Sequence, residues 1–172
     1  MESISEINLQ EGYLNDAWTI LWNLTDSNYE NCKVFLLNGG LDAFLHSKNR
    51  LDSQKNVILM KCILGPIMNL SEFKDYRGEL RKKIGFVQEL VSVIEDDFEI
   101  SYMAIGIIAN LALDGPDVWN LEEFEFVNLK EKIQTFNSPN FGFVCNPTEI
   151  LYKMFSVCFK KSIFHSTRFA HI

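Results

Sequence analysis

The chain has 172 residues, 47% of them hydrophobic and 23% charged, with a formal net charge of −7. That size and apolar share suffice for one folded domain with its own core, without metals or disulfides. The acidic balance excludes the basic footprint that nucleic-acid binding requires, and no apolar run is long enough to span a membrane.

Taken in chain order, residues 1–13 are polar and acidic and are expected to form a frayed lead-in. Apolar residues at helical spacing then run from Leu14 to Leu24. The string Thr25-Asp26-Ser27-Asn28 supplies stop and start signals together. A second helix is expected over Tyr29–Leu37, ending at Gly39-Gly40, and a short third over Leu41–His46. A long helix follows from about Gln54 to Phe73, with Gly65-Pro66 predicting a kink or break near Leu64. The short, short, long order then repeats as Tyr76–Lys82, Gly85–Glu95 and Ile100–Leu113. One more helix is expected within 117–136, carrying Leu121, Phe124, Val127 and Ile133 on its apolar side. Residues 137–172 read as a loop and a divergent Phe-rich helix, beyond a repeat region of 14–136.

Three segments repeat one pattern: Trp22-Asn23-Leu24-Thr25-Asp26, Met68-Asn69-Leu70-Ser71-Glu72, and Ala109-Asn110-Leu111-Ala112-Leu113-Asp114. Each sets an asparagine before a leucine, then a small residue, then a carboxylate. The asparagines are 46 and 41 residues apart, within the period of about 40–47 residues that marks armadillo and HEAT arrays. The expected fold is therefore all-α, an armadillo-like solenoid of three-helix repeats in a right-handed superhelix. In such stacks one helix per repeat lines a continuous concave surface, which suits capture of an extended peptide.

Trp22, Asn23 and Asp26 fall within roughly a 100° arc of one helix, and Asn69 and Glu72 are about 60° apart on another. An asparagine amide both donates and accepts, so it can bridge the two backbone groups of an extended peptide. Two carboxylates facing one ammonium would favour a charged N-terminus over a blocked one, with charge-assisted bonds of about 1.5–3 kcal/mol each. Each residue has a plainer reading too. The asparagines can tie neighbouring repeats together, Trp22 and Trp18 can be core, and Asp26 can cap the following helix. Catalysis has little support. His46, His165 and His171 lie in no metal-spaced motif, Gly39-Gly40 lacks the context of a phosphate loop, and no nucleophile signature occurs. No enzyme activity, metal or cofactor is expected. Cys32, Cys62, Cys145 and Cys158 form no paired framework and read as reduced thiols of a cytoplasmic or nuclear protein.

The runs Leu21-Trp22-Asn23-Leu24-Thr25-Asp26, Asn31-Cys32 through Phe35 to Gly39-Gly40-Leu41, Gly65 to Asn69 and Glu72, and Ser101-Tyr102 through Gly106 to Asp114-Gly115-Pro116-Asp117-Val118-Trp119 resemble one family. It is the Zyg-eleven and Zer-one substrate receptors of cullin-two ubiquitin ligases. The resemblance covers about Leu14 to Trp119 and implies a non-catalytic armadillo-like domain that binds proteins beginning with an unblocked glycine. It assigns Trp22, Asn23, Asp26, Asn69 and Glu72 to the pocket for the amine and first residues, with Tyr102 contributing from the third inner helix. It implies protein N-termini starting with Gly as partners. The family carries a leucine-rich-repeat region and a cullin-adaptor box before its armadillo part, for which Met1–Tyr13 has no room. Contact with the ligase complex is accordingly expected to run through regions missing from this chain.

Overall fold

The computed structural model describes residues 4–51, 55–94, 97–115 and 128–132, with side chains from residue 12 onward in the first helix. Helices dominate and no strand occurs among these residues. In order they are α1 (Ile4–Thr25), α2 (Tyr29–Leu37), α3 (Gly40–Asn49), α4 (Val57–Glu72), α5 (Lys74–Lys82), α6 (Phe86–Ser92) and α7 (Phe98–Ala112). Residues 128–132 are helical as well, with Leu129 buried. The remainder of the helix expected within 117–136, and the segment 137–172, lie outside the described residues.

The most extensive packing is α1 on α4 and α4 on α7. These three helices are the inner layer of an all-α, armadillo-like stack. The triplets α2–α3–α4 and α5–α6–α7 are its two complete units, and α1 is the inner helix of the unit before them. Two glycines keep the units in register. Gly39 and Gly85 hold left-handed backbone (φ 79° and 78°) immediately before α3 and α6, a conformation that costs an L side chain steric strain. The outer layers meet through aromatic contacts: Tyr29 stacks on Tyr76 at 4.8 Å, and Phe44 meets Phe86 at 5.7 Å. Ion pairs also step from unit to unit, joining Lys48 to Glu89, Lys83 to Asp42 and Lys61 to Glu99.

Two expectations need correction. The first helix runs back to Ile4 across the stretch expected to fray. No proline interrupts it there. Of the kink or break expected near Leu64, the break is absent: α4 continues through Pro66. A proline inside a helix costs about 3 kcal/mol. Here Ile63, Leu64, Gly65, Pro66 and Ile67 are all buried between neighbouring helices, and that burial offsets the lost hydrogen bond.

Candidate functional site

The repeated motif sits at the C-terminal ends of the inner helices, and its small residue does more than fill space. Thr25 is buried, its hydroxyl turned back toward the carbonyls of Leu21 (2.8 Å) and Trp22 (3.0 Å). Across the seam, Nδ2 of Asn69 donates to the Trp22 carbonyl and to Oγ1 of Thr25, each at 3.0 Å. One unit later the same tie recurs: Nδ2 of Asn110 donates to Oγ of Ser71 at 2.9 Å, and that hydroxyl donates to the Met68 carbonyl at 2.6 Å. Each asparagine thus reaches back to the hydroxyl of the unit before it. Asn23 occupies the same position in α1, where it is exposed.

This changes what Asn69 can offer a ligand. An amide nitrogen has two hydrogens, and both are spent inside the protein. Asn69 cannot bridge a peptide as donor and acceptor together. What it has left is Oδ1, an acceptor.

Asp26 follows the last residue of α1, and Glu72 is the last residue of α4. Both are exposed, and neither helix has a basic residue in its last turn. No ion pair among the described residues reaches either carboxylate; Ser27 Oγ donates to Asp26 at 3.3 Å. Helix C-termini carry the negative end of the dipole, so both charges stand where a helix disfavours them. The capping role open to Asp26 belongs to Asn28, whose side chain accepts from the Asn31 amide. The two carboxylates flank one region. Burial, reinforced by the charge of Glu72, pushes the Cys32 thiol up to about 11, and Cys32 Sγ lies 3.4 Å from the Thr25 carbonyl, next to Asp26.

The third unit is built differently. Asp114 is bound by Arg77 at 2.9 Å and Arg81 at 2.7 Å, and all three side chains are nearly buried. Burial alone would raise the Asp114 carboxyl, but Arg81 and Arg77 outweigh it and hold the group below the usual carboxylate range. The arginines also cap helix ends. Arg77 donates to the Ser71 and Glu72 carbonyls, and Arg81 to that of Leu111. The hydroxyl position of this unit is Ala112, a methyl group. Among the described residues, the α1–α4 seam is therefore the one that combines exposed carboxylates lacking an ion pair with a held asparagine.

Trp22 is half-buried on that seam, its indole lying against Gly65 of α4. Tyr102 is half-buried on α7, eight residues before Asn110, hence about 12 Å further along the helix axis than the motif. The structure thus brings Trp22, Asp26, Asn69 and Glu72 to one seam, with Asn23 exposed beside them and Tyr102 set at another level. A cleft of about 310 Å³ opens between α1, α2 and α3, its lining including Leu21, Leu24, Thr25, Val34, Phe35 and Ala43. Thr25 and Ser71, whose hydroxyls receive the asparagines, and the arginine pair on Asp114 were not singled out in the sequence. The hydroxyls lie inside the repeated motif and were open to notice; the arginines carry no local signal.

Comparison with known proteins places the chain. Residues 3–137 match the family described as protein zer-1 homolog-like, C-terminal domain. The chain is 29% identical over 119 residues to "Protein zer-1 homolog" of Homo sapiens, covering 68% of this chain and 15% of that protein. It is 31% identical over 114 residues to "Zyg eleven-related protein 1" of Caenorhabditis elegans, covering 65% and 12%. Against "Protein zer-1 homolog" of Drosophila melanogaster the identity is 26% over 136 residues, covering 62% and 17%. The chain thus spans less than a fifth of the length of these relatives. By the extent of the family match, the chain belongs to the zer-1 homolog-like C-terminal domain family.

Proposed function

We propose that this chain is a non-catalytic protein-binding module of the substrate-receptor kind, which captures the free α-ammonium of proteins that begin with glycine. One observation supports the reading: two exposed carboxylates stand at the negative ends of adjacent inner helices, and no cation among the described residues pairs with either. An α-ammonium supplies three N–H donors and one positive charge. Asp26, Glu72 and the Oδ1 of Asn69 supply three acceptors and the opposite charge. Trp22 forms an apolar wall beside them, and Asn23 contributes polar contacts to the following residues. Tyr102 serves residues further along the peptide. Within a cullin-two ligase this module would hold the substrate, the adaptor contacts lying in other regions.

The test is a calorimetric titration of the purified chain with one peptide in four forms: Gly-initiated, Ala-initiated, acetylated Gly, and an internal version with a leading extension. Gly-initiated peptide is expected to bind, and acetylation to abolish binding. Free α-amines titrate near pH 8. Because only the protonated form binds, affinity is expected to fall as pH rises through and above that value. Equal binding of the acetylated and free peptides would overturn the reading. It would favour instead a partner segment seated in the apolar cleft between α1, α2 and α3.

A further inference from the structure

We infer that Gly65 is a positioning residue for the Trp22 ring and thereby sets which first residue the site accepts. The inference rests on the amine-capture reading above. A Cβ added at Gly65 would lie 2.2, 2.3 and 2.6 Å from Cδ2, Cγ and Cδ1 of Trp22. These atoms are the root of the indole, not the tip of a flexible chain, and ordinary van der Waals contact begins near 3.4 Å. The Trp22 backbone is also held, because its carbonyl accepts from Asn69 one turn further along α4. Gly65 beneath the ring and Asn69 at the carbonyl together fix the indole on α4. A side chain at 65 forces the ring outward across the seam where Asp26, Asn69 and Glu72 gather.

The next seam provides an internal comparison. Met68 stands before Asn69 as Trp22 stands before Asn23, and Gly106 precedes Asn110 by four residues as Gly65 precedes Asn69. There, among the described residues, a Cβ on Gly106 would meet only Cε of Met68, at 3.6 Å. The same knob and hole recur, but the fit demands glycine only at the seam that carries the free carboxylates. Glycine inside a helix otherwise lowers helix stability, so its presence beneath Trp22 calls for a steric reason, and the indole supplies it.

The experiment measures dissociation constants of wild type, Gly65→Ala and Gly106→Ala, each as the full chain, for one peptide beginning with Gly, Ala or Ser. Loss of stability scales all affinities of a variant alike through its folded fraction, so the ratio of Gly to Ala affinity reports the wall and not the fold. One methylene in an apolar pocket changes affinity by about tenfold or more. Gly65→Ala is expected to change the ratio by about tenfold, and Gly106→Ala to leave it within about twofold. Wild type that binds free Gly peptide, with an unchanged ratio in Gly65→Ala, overturns the inference alone. Wild type indifferent to the free amine overturns the underlying reading and the inference with it. If Gly65→Ala does not fold, Trp22→Met and Trp22→Met/Gly65→Ala are compared. Recovery of folding in the double variant supports the steric account, and continued unfolding overturns it.

Discussion

Asp26 and Glu72 sit where a helix disfavours negative charge, which separates their effect on stability from the part in binding proposed for them. Removing a carboxylate from an exposed helix C-terminus relieves about 0.3–1 kcal/mol of unfavourable dipole interaction. Asp26→Asn and Glu72→Gln are therefore expected to melt at or slightly above the wild-type temperature while losing affinity for Gly-initiated peptide by about tenfold, or 1.4 kcal/mol. Thermal scans and titrations on the same samples check this, and a matched loss of stability would remove the charge argument. Asp114 is the opposite case. It neutralises two nearly buried guanidinium groups, and breaking such a cluster by deleting one partner costs about 3–5 kcal/mol. Asp114→Ala is expected to fall in that range by urea denaturation. The depressed carboxyl also sets a sign. Its stabilisation is fully present above the unfolded carboxylate value of about 3.9 and is lost as pH falls through the lower folded value. Acid unfolding of wild type should contain a component below about pH 4 that Asp114→Asn lacks.

At the scale of the element, one position measures what the stack contributes. Leu24, Leu70 and Leu111 each follow the motif asparagine, yet Leu70 and Leu111 are wholly buried and Leu24 is 53% exposed. The same contrast holds for Tyr13 against Leu59 and Ile100, because the preceding unit covers these positions in α4 and α7. Leu70→Ala is expected to cost about 2–5 kcal/mol and Leu24→Ala less than about 0.5 kcal/mol, by urea titration. The period of the asparagines and the apolar spacing were enough to read the helices, since both depend on local sequence. Gly65-Pro66 left a break open beside a kink because the rule for an isolated helix ignores burial on several sides. The asparagine ties were open as one of two readings; sequence alone could not choose, since the choice rests on whether a hydroxyl some 40 residues away lies within reach. Thr25 and Ser71 looked merely small, and the partners of Arg77 and Arg81 lie too far along the chain for any local pattern to show. Asp26 and Glu72 stood out as candidates because their motif repeats; their lack of an ion pair among the described residues was not legible, because it depends on which bases the fold brings near.

Across the whole molecule, interactions join nearest neighbours. Asn69 ties α4 to α1, Asn110 ties α7 to α4, and the ion pairs step between adjacent units. Such arrays behave approximately as chains of coupled units, with the end units opening first. α1 packs mainly on α4, so its amides are expected to exchange with deuterium faster than those of α4, which is covered on both sides. Asn69→Ala removes two donations across the seam, one of them buried, and, at about 1–3 kcal/mol, should speed exchange in α1 far more than in α7. The proposed site straddles the α1–α4 seam, since Trp22, Asn23 and Asp26 belong to α1 while Asn69 and Glu72 belong to α4. A ligand held by both helices acts as a clasp: at 100 times its dissociation constant it adds about 2.7 kcal/mol to the closed state. Occupancy of the proposed site is therefore expected to appear as slowed α1 exchange, and a chain whose first helix has swung away would offer a peptide only one of the two walls.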